Sequence, residues 1–366
     1  MPAQPAIPPL LAPYVSPPPR SSLTLVTSVL GATGNWMILR FLFSALSAGR
    51  ASGPRLNITE GADGLGGDLN ERNVKVVLVS FLRGWEFWRA EAKRLGLDLA
   101  RLADQGRFAF VDGLSQLFYL ATPAPSSTPF PRQCGTAPPR TTLPVRSHPG
   151  VVPAQAPAPA PAPTARNGLS KTTQTQGGPG PAKMLHLSGR GVAALDCLEN
   201  DILAVVDGLK GKNGADGAHG ESDVLLVIDQ PDLLLAATGP SQGIGATEMG
   251  EWIMGLEERV YSTIVTLFSD SPLIHNVPAY ALQQATPLET EHAAFVVGMS
   301  HQARTVMQLR NLDTGAARDV SGVLRISKGG AWEQDEQDRN HGVGEEKEVL
   351  YFVQRDAGAR VFGRGE

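Results

Sequence analysis

The chain has 366 residues, 42% of them hydrophobic and 19% charged, which is the make-up of a soluble globular protein with room for one large domain or two small ones. A formal charge of −4 and only two cysteines, Cys134 and Cys197, exclude a uniformly basic nucleic-acid binder, a disulfide framework and a cysteine-based zinc site. The start shows no basic residues leading into an apolar run, so no signal peptide is read there, and a cytoplasmic or nuclear protein is expected.

Eight of the 29 prolines fall in residues 1–20, which read as a disordered Pro-rich arm. Ser22 to Val29 is apolar and β-branched, the pattern of a buried strand. The turn Gly31-Ala32-Thr33-Gly34 leads into an apolar helix, Asn35 to Ser47. The most apolar stretch, Trp36 to Ala48, is short and interrupted by Arg40, so it reads as a core helix rather than a membrane span. Residues 49–73 are Gly-rich and polar, a loop.

Lys75 to Phe81 is a second buried strand. Trp85 to Leu95 has helical spacing, with Trp85, Trp88 and Ala92 on one face and Gly96 as its C-terminal stop. Arg107 to Asp112 is a third strand. Residues 121–184 hold fifteen prolines, six basic residues and no acid. They read as a disordered basic insertion in a single domain spanning 21–366, because they cannot bury enough apolar area to offset ordering entropy. Without that +6 the rest of the chain stands at −10.

Leu195 to Leu209 is helical, Asp223 to Asp229 a strand buried on both faces, Ala246 to Arg259 a helix, Tyr261 to Phe268 a strand and Leu288 to Gln302 a helix. Thr305 to Leu312, Val323 to Lys328, Glu348 to Gln354 and Arg360 to Gly363 are strand-like. Alternating strands and helices with continuously apolar strands give an α/β fold of the P-loop type. Its mainly parallel sheet is sandwiched by helices, with antiparallel edge strands near the C-terminus.

A strand, a Gly-containing loop and a helix form the setting of a P-loop, G-x-x-x-x-G-K-[ST], whose Lys neutralises phosphate and whose hydroxyl holds Mg²⁺. Aligned on Gly34, this chain puts Val29 at the first Gly, Asn35 at the Lys and Trp36 at the hydroxyl. Asn35 brings no charge, Trp36 no oxygen, and the bulk of Trp36 is expected to crowd the metal position. The second half of such a site is an apolar run ending in Asp, matched by Val224 to Asp229. Gly31, Gly34, Asn35, Trp36 and Asp229 are therefore the remnant of a degenerate nucleotide site, with no catalytic residue, metal or cofactor expected.

Four segments carry a resemblance: Thr33 to Trp36, Val77 to Leu97 (VLVSFLRGWEFWRAEAKRLGL), Ile228 to Gly239 (IDQPDLLLAATG) and Leu312 to Ile326 (LDTGAARDVSGVLRI). In order and content they are similar to the fungal form of Elongator complex subunit 6. The resemblance leaves out residues 1–20 and the Pro-rich insertion. It implies a RecA-like fold without intact nucleotide motifs. It also implies a heterohexameric ring with Elongator subunits 4 and 5, attachment to the catalytic Elongator subcomplex, and tRNA binding in support of wobble-uridine modification. The competing readings are a stand-alone RecA-like ATPase of the recombinase or clock-kinase type and a pure scaffold without RNA contact.

Arg310, Arg318 and Arg325 flank the turns Asp313-Thr314-Gly315 and Ser321-Gly322 and form a candidate RNA or subunit interface; the alternative is surface solvation with a local ion pair, for instance to Asp319. Gly243-Ile244-Gly245 lacks the third Gly and preceding strand of a dinucleotide fingerprint and reads as a mobile turn, with a channel-facing tRNA role as a second reading. Trp85, Phe87 and Trp88 have the spacing of a core face, with a base-stacking platform as the alternative. Glu345-Glu346-Lys347-Glu348 reads as a solvated hairpin end. The basic insertion is a tolerated surface loop or an electrostatic trail along RNA.

Overall fold

Short apolar runs rich in Val, Ile and Thr sit side by side as the strands of one sheet, and the amphipathic segments between them cover its two faces. The computed structural model describes residues 7–47, 74–119, 180–211, 223–274, 285–315, 317–332, 345–354 and 357–363. They belong to one compact unit, Met1–Tyr119 with Gly178–Glu366; the other unit, Leu120–Gly177, lies outside the described residues. So do the Gly-rich loop at 49–73 and most of the expected Pro-rich insertion.

The elements run α1 (Ala12–Val15), β1 (Leu23–Ser28), α2 (Asn35–Ser47), β2 (Lys75–Ser80), α3 (Trp85–Arg94), α4 (Leu99–Asp104), β3 (Phe108–Asp112), β4 (Lys183–Met184) and α5 (Val192–Lys210). They continue with β5 (Val224–Asp229), α6 (Asp232–Thr238), α7 (Ala246–Glu258), β6 (Ser262–Phe268), α8 (Ser271–Ile274), α9 (Pro287–Gln302), β7 (Thr305–Arg310), β8 (Gly322–Lys328), β9 (Lys347–Val353) and β10 (Ala359–Phe362). The ten strands form one sheet in the order β10-β9-β8-β7-β1-β6-β5-β2-β3-β4. From β7 to β4 the pairings are parallel, and from β7 outward to β10 they are antiparallel. This is the expected sheet, antiparallel edge strands included.

Alternation along each strand divides the core. Val76, Leu78, Phe108, Phe110, Leu225, Val227 and Ile264 face a layer built from α1, α2, α3 and α4. Val77, Val79, Val111, Leu226, Ile228 and Val265 face α5, α6, α7 and α9. Both faces of the central strands are thus covered, which is why they read as continuous apolar runs rather than alternating ones. Trp85, Trp88 and Ala92 are the buried residues of α3, as their spacing requires, and Gly96 closes the helix at φ +85°. The aromatic cluster of α3 is core and not a platform for bases: Trp85 packs on Phe108 and Phe110.

Two boundaries differ from the sequence reading. The Pro-rich arm carries α1, and Leu11 and Val15 are fully buried against the α2 layer. Proline density signals low backbone freedom, which is compatible with a packed turn when apolar residues are spaced to reach the core. The last two residues of the expected insertion belong to the sheet: Lys183–Met184 pair with Val111 and Asp112 as an edge strand. Four short helices, α1, α4, α6 and α8, leave too little periodicity to be read from sequence.

Arg40, the one charge in the apolar helix α2, is buried. Its Nη2 donates to the carbonyl of Ala357 at 2.7 Å, between β9 and β10. Ala357 has φ +64°, a strained conformation for a side-chain-bearing residue. Lys75 is likewise buried and donates from Nζ to the carbonyl of Leu209 at 2.6 Å. Each buried cation thus donates to a backbone carbonyl, one in the β9–β10 turn and one in the last turn of α5.

Candidate functional site

The carboxyl ends of the parallel strands β1, β6, β5 and β2 form the edge where open α/β sheets place ligands. β6 lies between the loop-bearing β1 and the Asp-ending β5, and β7 flanks β1 on its other side. That order gives the RecA-like P-loop class of sheet expected from the sequence.

The loop between β1 and α2 is a tight turn rather than an open phosphate nest. Val29 and Ala32 bridge to one another, with the Ala32 N–H donating to the Val29 carbonyl at 2.9 Å. Gly31 takes φ +89° to close the turn, a conformation that costs glycine little. A Cβ at Gly34 would come within ordinary contact of Leu309 and Val26, 3.7 Å from each. The Leu30 N–H at the tip donates to Asp270 Oδ1 at 2.8 Å, and Asn311 Nδ2 donates to the Leu30 carbonyl at 3.0 Å. A carboxylate of the chain itself therefore occupies a backbone donor that a phosphate would use, and its charge repels an incoming anion.

Asn35 Oδ1 accepts a hydrogen bond from the Thr33 hydroxyl at 2.7 Å, a side-chain contact at the helix entry. Trp36 does not crowd the loop, contrary to expectation. It turns into the core at 3% exposure and tilts against Tyr351 of β9, with ring centroids 4.9 Å apart. The first half of α2 is buried on every side, and burial of the large ring turns it away from the loop. Burial pushes the Tyr351 hydroxyl up to about 12.

Asp229 is 1% exposed. Ser80 Oγ donates to its Oδ2 at 2.7 Å and Thr266 Oγ1 to its Oδ1 at 3.0 Å, while Arg83 Nη1 lies 3.8 Å from Oδ2. Burial raises its pKa, opposed by the Ser80 hydrogen bond, the Arg83 charge and the Thr266 hydrogen bond. Thr266 is the register partner of both Asp229 and Val26. The carboxylate thus ties together β2, β5 and β6 and sits below the rim of the sheet. The structure brings Gly31, Gly34 and Asn35 together in one turn but leaves Trp36 and Asp229 buried apart from its tip.

A neighbouring polar cluster had no signal in the sequence beyond an Asp after Pro231. Asp232 Oδ2 accepts from the Phe268 N–H at 3.0 Å and meets His292 Nε2 at 3.1 Å, with both side chains almost fully buried. It joins α6, β6 and α9. Sixty residues separate the partners, so only the fold pairs them. Among the described residues no group of three or more His, Cys, Asp or Glu is placed to hold a metal ion.

The three candidate arginines differ in their surroundings. Arg310 is held by Asp313, with Nη1 at 3.0 Å from Oδ1, and by Glu348, with Nη2 at 3.0 Å from Oε2. Its partners are these two carboxylates and not Asp319, and the Glu348 and then the Asp313 hydrogen bonds raise its pKa further. Glu348 is accordingly part of an ion pair and not a freely solvated hairpin end. Arg325 is exposed on β8 between Gln308 and Glu348 in register, and Arg318 is exposed in the turn.

Gly243-Ile244-Gly245 is tied to its neighbours. Ile244 is fully buried, the Gln242 carbonyl accepts from Gly191 at 2.8 Å, and Ala246 N–H donates to Glu291 Oε2 at 2.7 Å. A cleft of about 380 Å³ opens beside the β1–α2 turn, lined by Gly31, Asn311, Leu312, Ala317 and Val320 among others. No described helix is long and apolar enough to cross a membrane.

No family model matches the chain, and no curated protein matches it. Among solved structures it is similar to a KaiC-like protein from the hyperthermophilic archaeon Pyrococcus horikoshii OT3. The two share 12% identity at a TM-score of 0.46, over 98% of this chain and 96% of the other.

Proposed function

We propose that this chain is a non-catalytic RecA-like subunit of the Elongator complex, the counterpart of its subunit 6. It works in a heterohexameric ring with subunits 4 and 5 that binds tRNA and supports wobble-uridine modification by the catalytic subcomplex. The observation that carries the non-catalytic part is the Asp270 carboxylate on the tip of the β1–α2 turn. With Asn35 where a P-loop has Lys and Trp36 buried in the core, the turn offers a triphosphate no cation and Mg²⁺ no hydroxyl at those positions, and the Leu30 N–H is already taken. The Elongator assignment is supported by the four sequence segments given above.

A titration of the isolated full chain with ATP and Mg²⁺ tests the first part, with no binding at millimolar nucleotide expected. Turnover by the isolated chain that is lost on mutation of its own 29–36 loop would favour a stand-alone ATPase instead. Co-expression with Elongator subunits 4 and 5, followed by mass measurement, tests the ring. Crosslinking that ring to tRNA separates an RNA-contacting subunit from a pure scaffold. The saturation of Arg310 by two carboxylates favours the scaffold reading for that one residue.

A further inference from the structure

Leu30 is 82% exposed at the tip of an otherwise fixed turn. A lone exposed Leu is ordinary on a protein surface. This one differs because its backbone is clamped on both sides by different elements, Asp270 after β6 and Asn311 after β7. The Val29–Ala32 bridge and the positive φ of Gly31 fix the turn beneath it. A side chain presented by ordered backbone loses little further entropy when it is buried by a partner.

Beside this knob lies the 380 Å³ cleft, with Leu312, Ala317 and Val320 in its wall. Knob and cleft share Gly31 and Asn311, so they form one surface. The charge held against the knob is negative, that of Asp270. Asp270 uses one oxygen on Leu30, and its second has no partner among the described residues. Arg310, on the neighbouring strand β7, is already matched by Asp313 and Glu348.

We propose that Leu30, the adjoining cleft and Asp270 form a docking point for a partner protein that offers an apolar socket edged by a basic side chain. This rests on the reading of the chain as an assembly subunit and names the surface it uses. RNA fits poorly because its phosphates meet the Asp270 carboxylate beside the knob. A basic rim on the partner complements Asp270, and the apolar socket removes Leu30 from water.

The test uses the full chain co-expressed with Elongator subunits 4 and 5. Assembly affinity is measured for the wild type, Leu30→Ser and Asp270→Asn, and a photoreactive residue at position 30 is crosslinked in the complex. Asp270→Asn keeps an oxygen for the Leu30 N–H and removes only the charge. We expect Leu30→Ser to weaken assembly about ten- to thirty-fold and Asp270→Asn to weaken it roughly three- to ten-fold with a flatter salt dependence. The Tm of the isolated variants should not move, and the crosslink should fall on one partner subunit. Wild-type affinity in both variants, or a crosslink to tRNA, overturns the docking point while leaving the ring reading intact. Self-association of the isolated chain that Leu30→Ser abolishes overturns it in favour of a second copy. A wild-type chain that joins neither subunit overturns both.

Discussion

Replacing Asp229 with Ala separates a structural clamp from a vestigial metal ligand. The carboxylate accepts hydrogen bonds from the Ser80 and Thr266 hydroxyls, and both residues are fully buried. Ala leaves two buried hydroxyls without their acceptor, at about 1–3 kcal/mol each, less the relief of burying an ionised group. The net loss is about 2–3 kcal/mol, a fall in Tm of roughly 5–10 °C for a domain of this size. Asn keeps one acceptor oxygen and turns the other into a donor toward a hydroxyl oxygen, so Asp229→Asn should stay within about 1 kcal/mol of the wild type. The assay is urea unfolding of the three proteins across pH. The folded-state pKa of Asp229 is raised, so ionisation of the buried group lowers wild-type stability at neutral pH. The wild type should therefore gain on Asp229→Asn as pH falls through the raised value and level off once pH drops below 3.8, the ordinary carboxylate value. Ala and Asn variants of equal stability, or a wild type that loses ground to Asn on acidification, would refute this reasoning.

Trp36→Ser restores the hydroxyl of a P-loop but removes a buried ring stacked on Tyr351, so it should cost about 3–5 kcal/mol and yield no ATP binding; thermal melts and nucleotide titration check both. The Tyr351 hydroxyl is pushed up to about 12 and has no hydrogen-bond partner among the described residues. Its unfolded form ionises first, so stability should drop between pH 10 and 12, and Tyr351→Phe should remove that drop while leaving pH 7 stability within about 0.5 kcal/mol. A Cβ at Gly322 would lie 2.6 Å from the Arg310 carbonyl and 2.7 Å from the Tyr351 hydroxyl. Gly322→Ala should therefore lower stability by about 2 kcal/mol or more, read by urea unfolding.

The sequence by itself determined the sheet class, because continuous apolar strands alternating with amphipathic helices have no stable solution except a parallel sheet covered on both faces. It placed α2, α3 and β5, and the missing cation and hydroxyl at Asn35 and Trp36 were visible as residue types at fixed offsets from Gly34. Short helices and the packing of residues 7–20 were not legible, since four to seven residues carry too little periodicity and proline content hides a buried Leu11 or Val15. What only the tertiary structure decided are the pairings across distance. Asp270 reaches Leu30 over 240 residues, Glu348 reaches Arg310 over 38, and Ser80 and Thr266 close on Asp229 from two other strands. Periodicity reports which face a side chain takes, but the partner that satisfies a polar group is set by which strands become neighbours, and that order is a property of the whole sheet.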